Sequence, residues 1–212
     1  MNLLNTFIET FSDAHELLPK TVNQGSLWVG NFTSALNVEF LTKNNINIII
    51  NLTKTDPFIT ENLPFVEKKI RIHVDDDGYF DSGLENYKEM THSMQLYIPS
   101  LAEQLRYKRK NILVHCHAGK QRSNAFSVAL LIYLDRKYDI IPSIIFKKED
   151  AEIQIQKMIN YVQSKRPQSF TYGYNVRFMK SLKDLFVYED DSPFFEKIDP
   201  IITRVNKKRY HT

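Results

Sequence analysis

Apolar positions along the chain change period several times, and each change marks an element. Leu4, Phe7, Ile8, Phe11 and Leu18 fall on one side of a helical projection, which predicts an amphipathic helix over residues 1–18, ended by Pro19. The short run Leu27-Trp28-Val29 predicts a strand, a helical pattern follows over 34–43, and the β-branched run Ile46 to Leu52 predicts a buried strand. After a loop holding Pro57 and Pro64, the segment Val66 to Val74 alternates loosely and runs into Asp75-Asp76-Asp77-Gly78, a turn signal. Tyr87, Met90, Met94, Ile98, Leu101 and Leu105 then step as one helix stripe, in which Pro99 predicts a kink. Ile112-Leu113-Val114 reads as a short strand, leading through a polar stretch into an apolar helix over 123–133. Two more helices are marked by Ile155, Met158, Ile159 and Val162, stopped by Arg166-Pro167, and by Val176, Met179, Leu182 and Phe186.

Strands alternating with helices predict an α/β fold, a central mainly parallel sheet flanked by helices. The 212 residues, 42% hydrophobic and 25% charged, suffice for one substantial core. With 28 Lys+Arg against 25 Asp+Glu, no dominant field points to nucleic acid or to an anionic membrane. No apolar run approaches a membrane span, the first residues carry Glu9, Asp13 and Glu16 instead of a signal-peptide core, and a single cysteine forms no internal disulfide. A reducing, cytosol-like compartment is the expectation, with nuclear access left open.

The chemistry concentrates in ILVHCHAGKQRS, residues 112–123, which holds that one cysteine. As a metal site it fails on geometry. Zinc needs about three or four protein ligands, and the consecutive residues His115, Cys116 and His117 do not converge on one ion. A buried, inert cysteine is the common alternative, but it leaves Gly119, Lys120, Arg122 and Ser123 in the same nine-residue stretch unexplained. A loop between strand and helix turns successive N–H groups to one side, and the helix adds its positive end, so the place suits a phosphate dianion. Gly119 lets the backbone curl, and Arg122 offers a planar fork to two phosphoryl oxygens. The same positive field favours Cys116 as a thiolate, a nucleophile beside bound phosphate.

His115-Cys116-His117-Ala118-Gly119-Lys120-Gln121-Arg122-Ser123 resembles the HCxxGxxRS signature of cysteine-dependent protein phosphatases of the dual-specificity type. Leu27-Trp28-Val29-Gly30-Asn31, Ala35, Leu41 and Ile46 to Thr53 resemble the family's opening strand, helix and strand, and Arg166-Pro167 with Asn175, Phe178 and Leu182 its closing helix. The resemblance implies a catalytic domain over 25–188, preceded by an N-terminal helical extension over 1–24 and followed by a tail over 189–212. It also implies hydrolysis through a phosphocysteine, with no metal or other cofactor. Cys116 would attack phosphorus, while Arg122 and the loop amides from His117 through Ala118, Gly119, Lys120 and Gln121 hold the phosphoryl oxygens. Ser123 would hydrogen-bond the departing thiolate, and His115 would orient the loop from behind and help depress the thiol pKa.

An aspartate upstream supplies the leaving-group proton in this family, and aligning Ile72-His73-Val74 with its strand puts Asp76 in register, with Asp75, Asp77 and Asp81 as alternatives. The expected partners are phosphorylated proteins bearing phosphotyrosine and phosphoserine/threonine. Lys120 also resembles the basic loop HCKAGKGR of 3-phosphoinositide phosphatases, so a lipid phosphate is a second reading. RNA 5′-triphosphate is another, although RNA-directed relatives commonly end the loop in Arg-Thr-Gly, where this chain has Arg122-Ser123-Asn124. An inactive phosphate-binding module is a third, opposed by the intact Cys116, Arg122 and Ser123.

Overall fold

In the central sheet the inward and outward positions of three strands alternate with period two, and this sets the layers of the molecule. The computed structural model describes residues 3–75, 83–140, 151–170 and 176–186. Strands β1 (Ala14–Leu18), β2 (Leu27–Gly30), β3 (Ile46–Asn51), β4 (Lys68–Arg71) and β5 (Asn111–His115) form one sheet in the order β1-β2-β5-β3-β4. Only β1 runs antiparallel to its neighbour; β2, β5, β3 and β4 pair in parallel. Val29, Ile48, Ile50, Ile112 and Val114 face the larger core, whereas Ile49 and Leu113, one residue out of phase, face the smaller one.

Four helices cover the larger core: α3 (Gly83–Arg106), α4 (Arg122–Tyr138), α5 (Ala151–Lys165) and α6 (Val176–Phe186). Helix α4 is buried from Arg122 through Asp135, which is why its apolar residues follow no narrow stripe. It lies in the middle of this layer, with contacts to α3, α5 and α6. A lighter layer, with Leu41 and Phe40 of helix α2 (Val38–Lys43), covers the opposite face beside Trp28. The arrangement is the sheet flanked by helices that the alternation of elements predicts. Among the described residues no helix is long and apolar enough to cross a membrane.

Three expectations are revised. The helix predicted over 1–18 ends early: α1 spans Leu3–Phe11, and residues 14–18 are strand β1. Pairing with β2, from Ala14 opposite Gly30 to Leu18 opposite Leu27, overrides the helical spacing and buries Leu17 and Leu18. The helix predicted over 34–43 is broken into a single tight turn, Ser34–Leu36, and α2. Asn37 makes the break by adopting extended backbone, and its side chain accepts the Phe40 N–H at 2.9 Å. The loose alternation over 66–74 yields only the four-residue β4. Helix α3 passes through Pro99 as one element, its inner face of Ile98, Leu101, Ala102 and Leu105 buried. The tail over 189–212 lies outside the described residues.

Because Asn37 satisfies an otherwise orphaned helix donor, Asn37→Ala is expected to lower stability by about 1 kcal/mol. Urea unfolding measures it, and a change within a few tenths of wild type would show that the cap is immaterial.

Candidate functional site

Strand β5 ends at His115 and α4 begins at Arg122, so the chain turns from strand to helix in six residues, Cys116 to Gln121. The signature residues His115 to Ser123 are thus one contiguous site at the end of the sheet's central strand.

Hydrogen bonds to the loop's carbonyls fix its orientation. The His117 carbonyl accepts the Phe32 N–H at 3.1 Å, and the Lys120 carbonyl accepts the Phe170 N–H at 2.8 Å. The Gly119 carbonyl accepts two donors, Asn124 Nδ2 and Arg166 Nε, each at 2.9 Å. In a trans peptide the C=O of one residue and the N–H of the next point opposite ways. Tying these three carbonyls outward therefore turns the amides of Ala118, Lys120 and Gln121 to the other side of the loop. Gly119 permits the curl at φ +66°, and a Cβ there would meet Arg166 Nη2 and the Gly30 carbonyl at 2.7 Å.

Cys116 is 1% exposed, at the root of the loop, and its Sγ lies 3.3 Å from the buried Ser123 Oγ. Arg122 is also buried, and its Nη1 donates to the carbonyls of Leu52 (3.2 Å) and Val74 (3.0 Å). Val74 immediately precedes the acidic stretch. Of the four candidate acids, Asp75 is placed, in an ion pair with Lys54, while Asp76, Asp77 and Asp81 lie outside the described residues.

The two histidines beside Cys116 part company. His117 is 63% exposed on the lip, its ring stacked on Phe32 (centroids 5.1 Å apart, planes 2° apart) and its Nδ1 3.1 Å from Asp56 Oδ2. Asp56 is held for this contact by its own loop: Asn51 Nδ2 and Arg71 Nη2 donate to its carbonyl, and its N–H donates to Thr53 Oγ1. His115 is fully buried, and among the described residues neither ring nitrogen makes a well-formed hydrogen bond. Burial pushes its imidazolium down to about 3, with the Cys116 peptide opposing and the charges of Arg71 and Arg122 reinforcing. His115 is therefore neutral and brings no positive charge to the loop.

Four residues here escape the sequence reading. Asp56 and Phe32 flank His117 from separate loops, and no spacing rule connects them to residue 117. Asn124 could have been found, since it follows the signature directly. Its amide holds Gly119, and its Oδ1 accepts from Ser169 Oγ at 3.0 Å. Least visible is Asp13, whose carboxylate grips the fully buried Arg166 through Nη1 at 2.9 Å and Nη2 at 2.6 Å. Burial alone would raise the Asp13 carboxyl, but Arg166, with help from Gln168 and His15, outweighs it and holds the group below the usual carboxylate range.

The neutral His115 has a consequence for acid stability. Below pH 6.5 the unfolded chain takes up a proton that the folded chain refuses until about pH 3, so stability is lost as pH falls through that window, at ~1.4 kcal/mol per unit. His115→Gln is expected to shrink the stability difference between pH 7 and pH 5 by about 2 kcal/mol in urea unfolding. An unchanged difference would mean that the imidazole is charged in the fold.

Comparison with known proteins places this geometry. The profile of the dual specificity phosphatase catalytic domain matches residues 27–187. Among solved structures, the Yvh1 phosphatase domain from Chaetomium thermophilum is 24% identical, with 74% of this chain and 88% of that one covered at a TM-score of 0.53. The Cydia pomonella PTP-2 phosphatase is 19% identical, covering 81% and 89% at 0.51. The human tyrosine phosphatase-like serine/threonine/tyrosine-interacting protein is 20% identical, covering 81% and 94% at 0.50. At such identities the structural likeness speaks for the fold. No curated protein sequence matches. The family profile spans four of the five strands and the loop that carries the signature, and the chain belongs to the dual specificity phosphatase family of the cysteine-dependent tyrosine phosphatases.

Proposed function

We propose that this protein is an active cysteine-dependent phosphatase that hydrolyses phosphotyrosine and phosphoserine/threonine in proteins. The observation that carries the reading is the 3.3 Å contact between Cys116 Sγ and Ser123 Oγ at the strand-to-helix junction. An inert core cysteine has no need of a buried hydroxyl. A thiolate that must leave phosphorus does, because the hydroxyl hydrogen bond stabilises the charge that returns to sulfur.

In the first step the Cys116 thiolate attacks phosphorus, an S–P bond forms, and the P–O bond to the substrate's tyrosine, serine or threonine oxygen breaks. Asp76 gives its proton to that oxygen. Water then attacks the phosphocysteine, Asp76 takes a proton from it, and the S–P bond breaks to release inorganic phosphate and the thiolate. Arg122 and the loop amides bind the three equatorial oxygens, where charge builds in each transition state. The Arg122 bond to Val74 supports the role of Asp76, since it ties the phosphate-binding arginine to the residue leading into the acidic stretch. His115 supports the loop by packing beneath it in neutral form. His117 and Lys120 form its lip, where the substrate's flanking residues pass.

Turnover tests the whole assignment. Wild type is expected to hydrolyse a small aryl phosphate and both phosphotyrosyl and phosphothreonyl peptides, and Cys116→Ser to abolish turnover while still binding phosphate. Asp76→Asn should lower kcat by ~10²–10⁴-fold on alkyl phosphates, and less on an aryl phosphate with a good leaving group. Equal rates for wild type and Cys116→Ser would end the nucleophile assignment. Preference for phosphoinositides or triphosphorylated RNA in the same panel would overturn the protein-substrate assignment, and absence of turnover with retained phosphate binding would favour a binding module.

A further inference from the structure

Asp13 lies before the stretch matched by the family profile, in no motif of the signature, and 153 residues from the arginine it grips. Its hold on Arg166 reaches into the phosphate loop. A guanidinium is planar and rigid, so a carboxylate bonded to both Nη atoms fixes the plane and with it the direction of Nε–H. That Nε–H donates to the Gly119 carbonyl, and the orientation of this peptide sets the direction of the Lys120 amide. Asp13 is itself immobilised at both ends. Its N–H donates to Asn31 Oδ1 at 3.2 Å, its carbonyl accepts the Asn31 N–H at 3.1 Å, and its Oδ2 also accepts from Gln168 Nε2 at 2.8 Å. His15 Nε2 stands 3.0 Å from Oδ1.

We propose that Asp13 is a positioning residue for the phosphate loop, acting through Arg166 to aim the Gly119–Lys120 peptide, so that the N-terminal segment is part of the catalytic unit. The proposal rests on the phosphatase reading for its kinetic consequence, but not for its binding consequence. Without Asp13 the buried Arg166 loses its counter-charge and the constraint on its plane together. Arg166→Lys divides the two functions: an ammonium keeps the charge beside Asp13 but cannot serve the carboxylate and the Gly119 carbonyl with a fixed fork.

The test uses the full chain with p-nitrophenyl phosphate, orthovanadate inhibition, inorganic phosphate binding by calorimetry, and thermal unfolding. Asp13→Asn is expected to lower kcat/KM by ~10–100-fold and to weaken vanadate and phosphate binding in parallel, with a cooperative unfolding transition above the assay temperature. Asp13→Glu should recover part of both, and Arg166→Lys should show the same loss as Asp13→Asn. If wild type binds phosphate but turns nothing over, the catalytic reading fails while weakened phosphate binding in Asp13→Asn still supports the positioning role. If Asp13→Asn does not fold, Arg166→Lys carries the test. A lower melting temperature with unchanged kcat, KM and anion binding would overturn the proposal, as would failure of both variants to fold, since the pair would then be structural only.

Discussion

The direction of a handful of peptide planes is the constraint on which this structure turns. A phosphate loop needs N–H groups on one side, and backbone between a strand and a helix has no intrinsic reason to supply them. Here the carbonyls of His117, Gly119 and Lys120 are drawn outward by Phe32, by Asn124 and Arg166, and by Phe170. The donors come from the loop after β2, from α4 itself and from the turn after α5. The surrounding elements thus shape the loop by satisfying the groups that should not face a phosphate, leaving the groups that should.

The same economy explains the placement of the charged groups. Arg122 reaches back to the ends of β3 and the segment after β4, while Arg166 sits behind the loop with its own carboxylate. Two arginines so close to the loop would compete for an anion, but Asp13 neutralises Arg166, which supports the role proposed for Arg122. His115, buried without charge beneath the loop, avoids adding a third cation.

Much of this was legible in the sequence because it is local. The run Ile46 to Leu52, the strand before Cys116 and the signature itself are contiguous, and their periods or motifs do not depend on what lies elsewhere. The sequence reading failed wherever a distant partner decided the outcome. Ala14–Leu18 continues a helical stripe and becomes a strand only because Leu27–Gly30 offers an edge. A local exception is Asn37, which lies inside the helical pattern over 34–43 and breaks it through a cap on Phe40, three residues on. Asp56 and Asp13 are ordinary surface-type residues by composition, and what distinguishes them is the loop or arginine that comes to meet them in three dimensions.

The grip of Asp13 on Arg166 also orders events in time. A ribosome delivers Asp13 early, the cysteine loop midway and Arg166 only after all five strands and three of the four helices over the larger core have been made. Contacts of such sequence separation form late because the intervening chain must first be closed into a loop. A nascent chain therefore carries Cys116 long before the carbonyl of Gly119 has Arg166 to hold it, and the loop between β5 and α4 is among the last parts of the molecule to take shape.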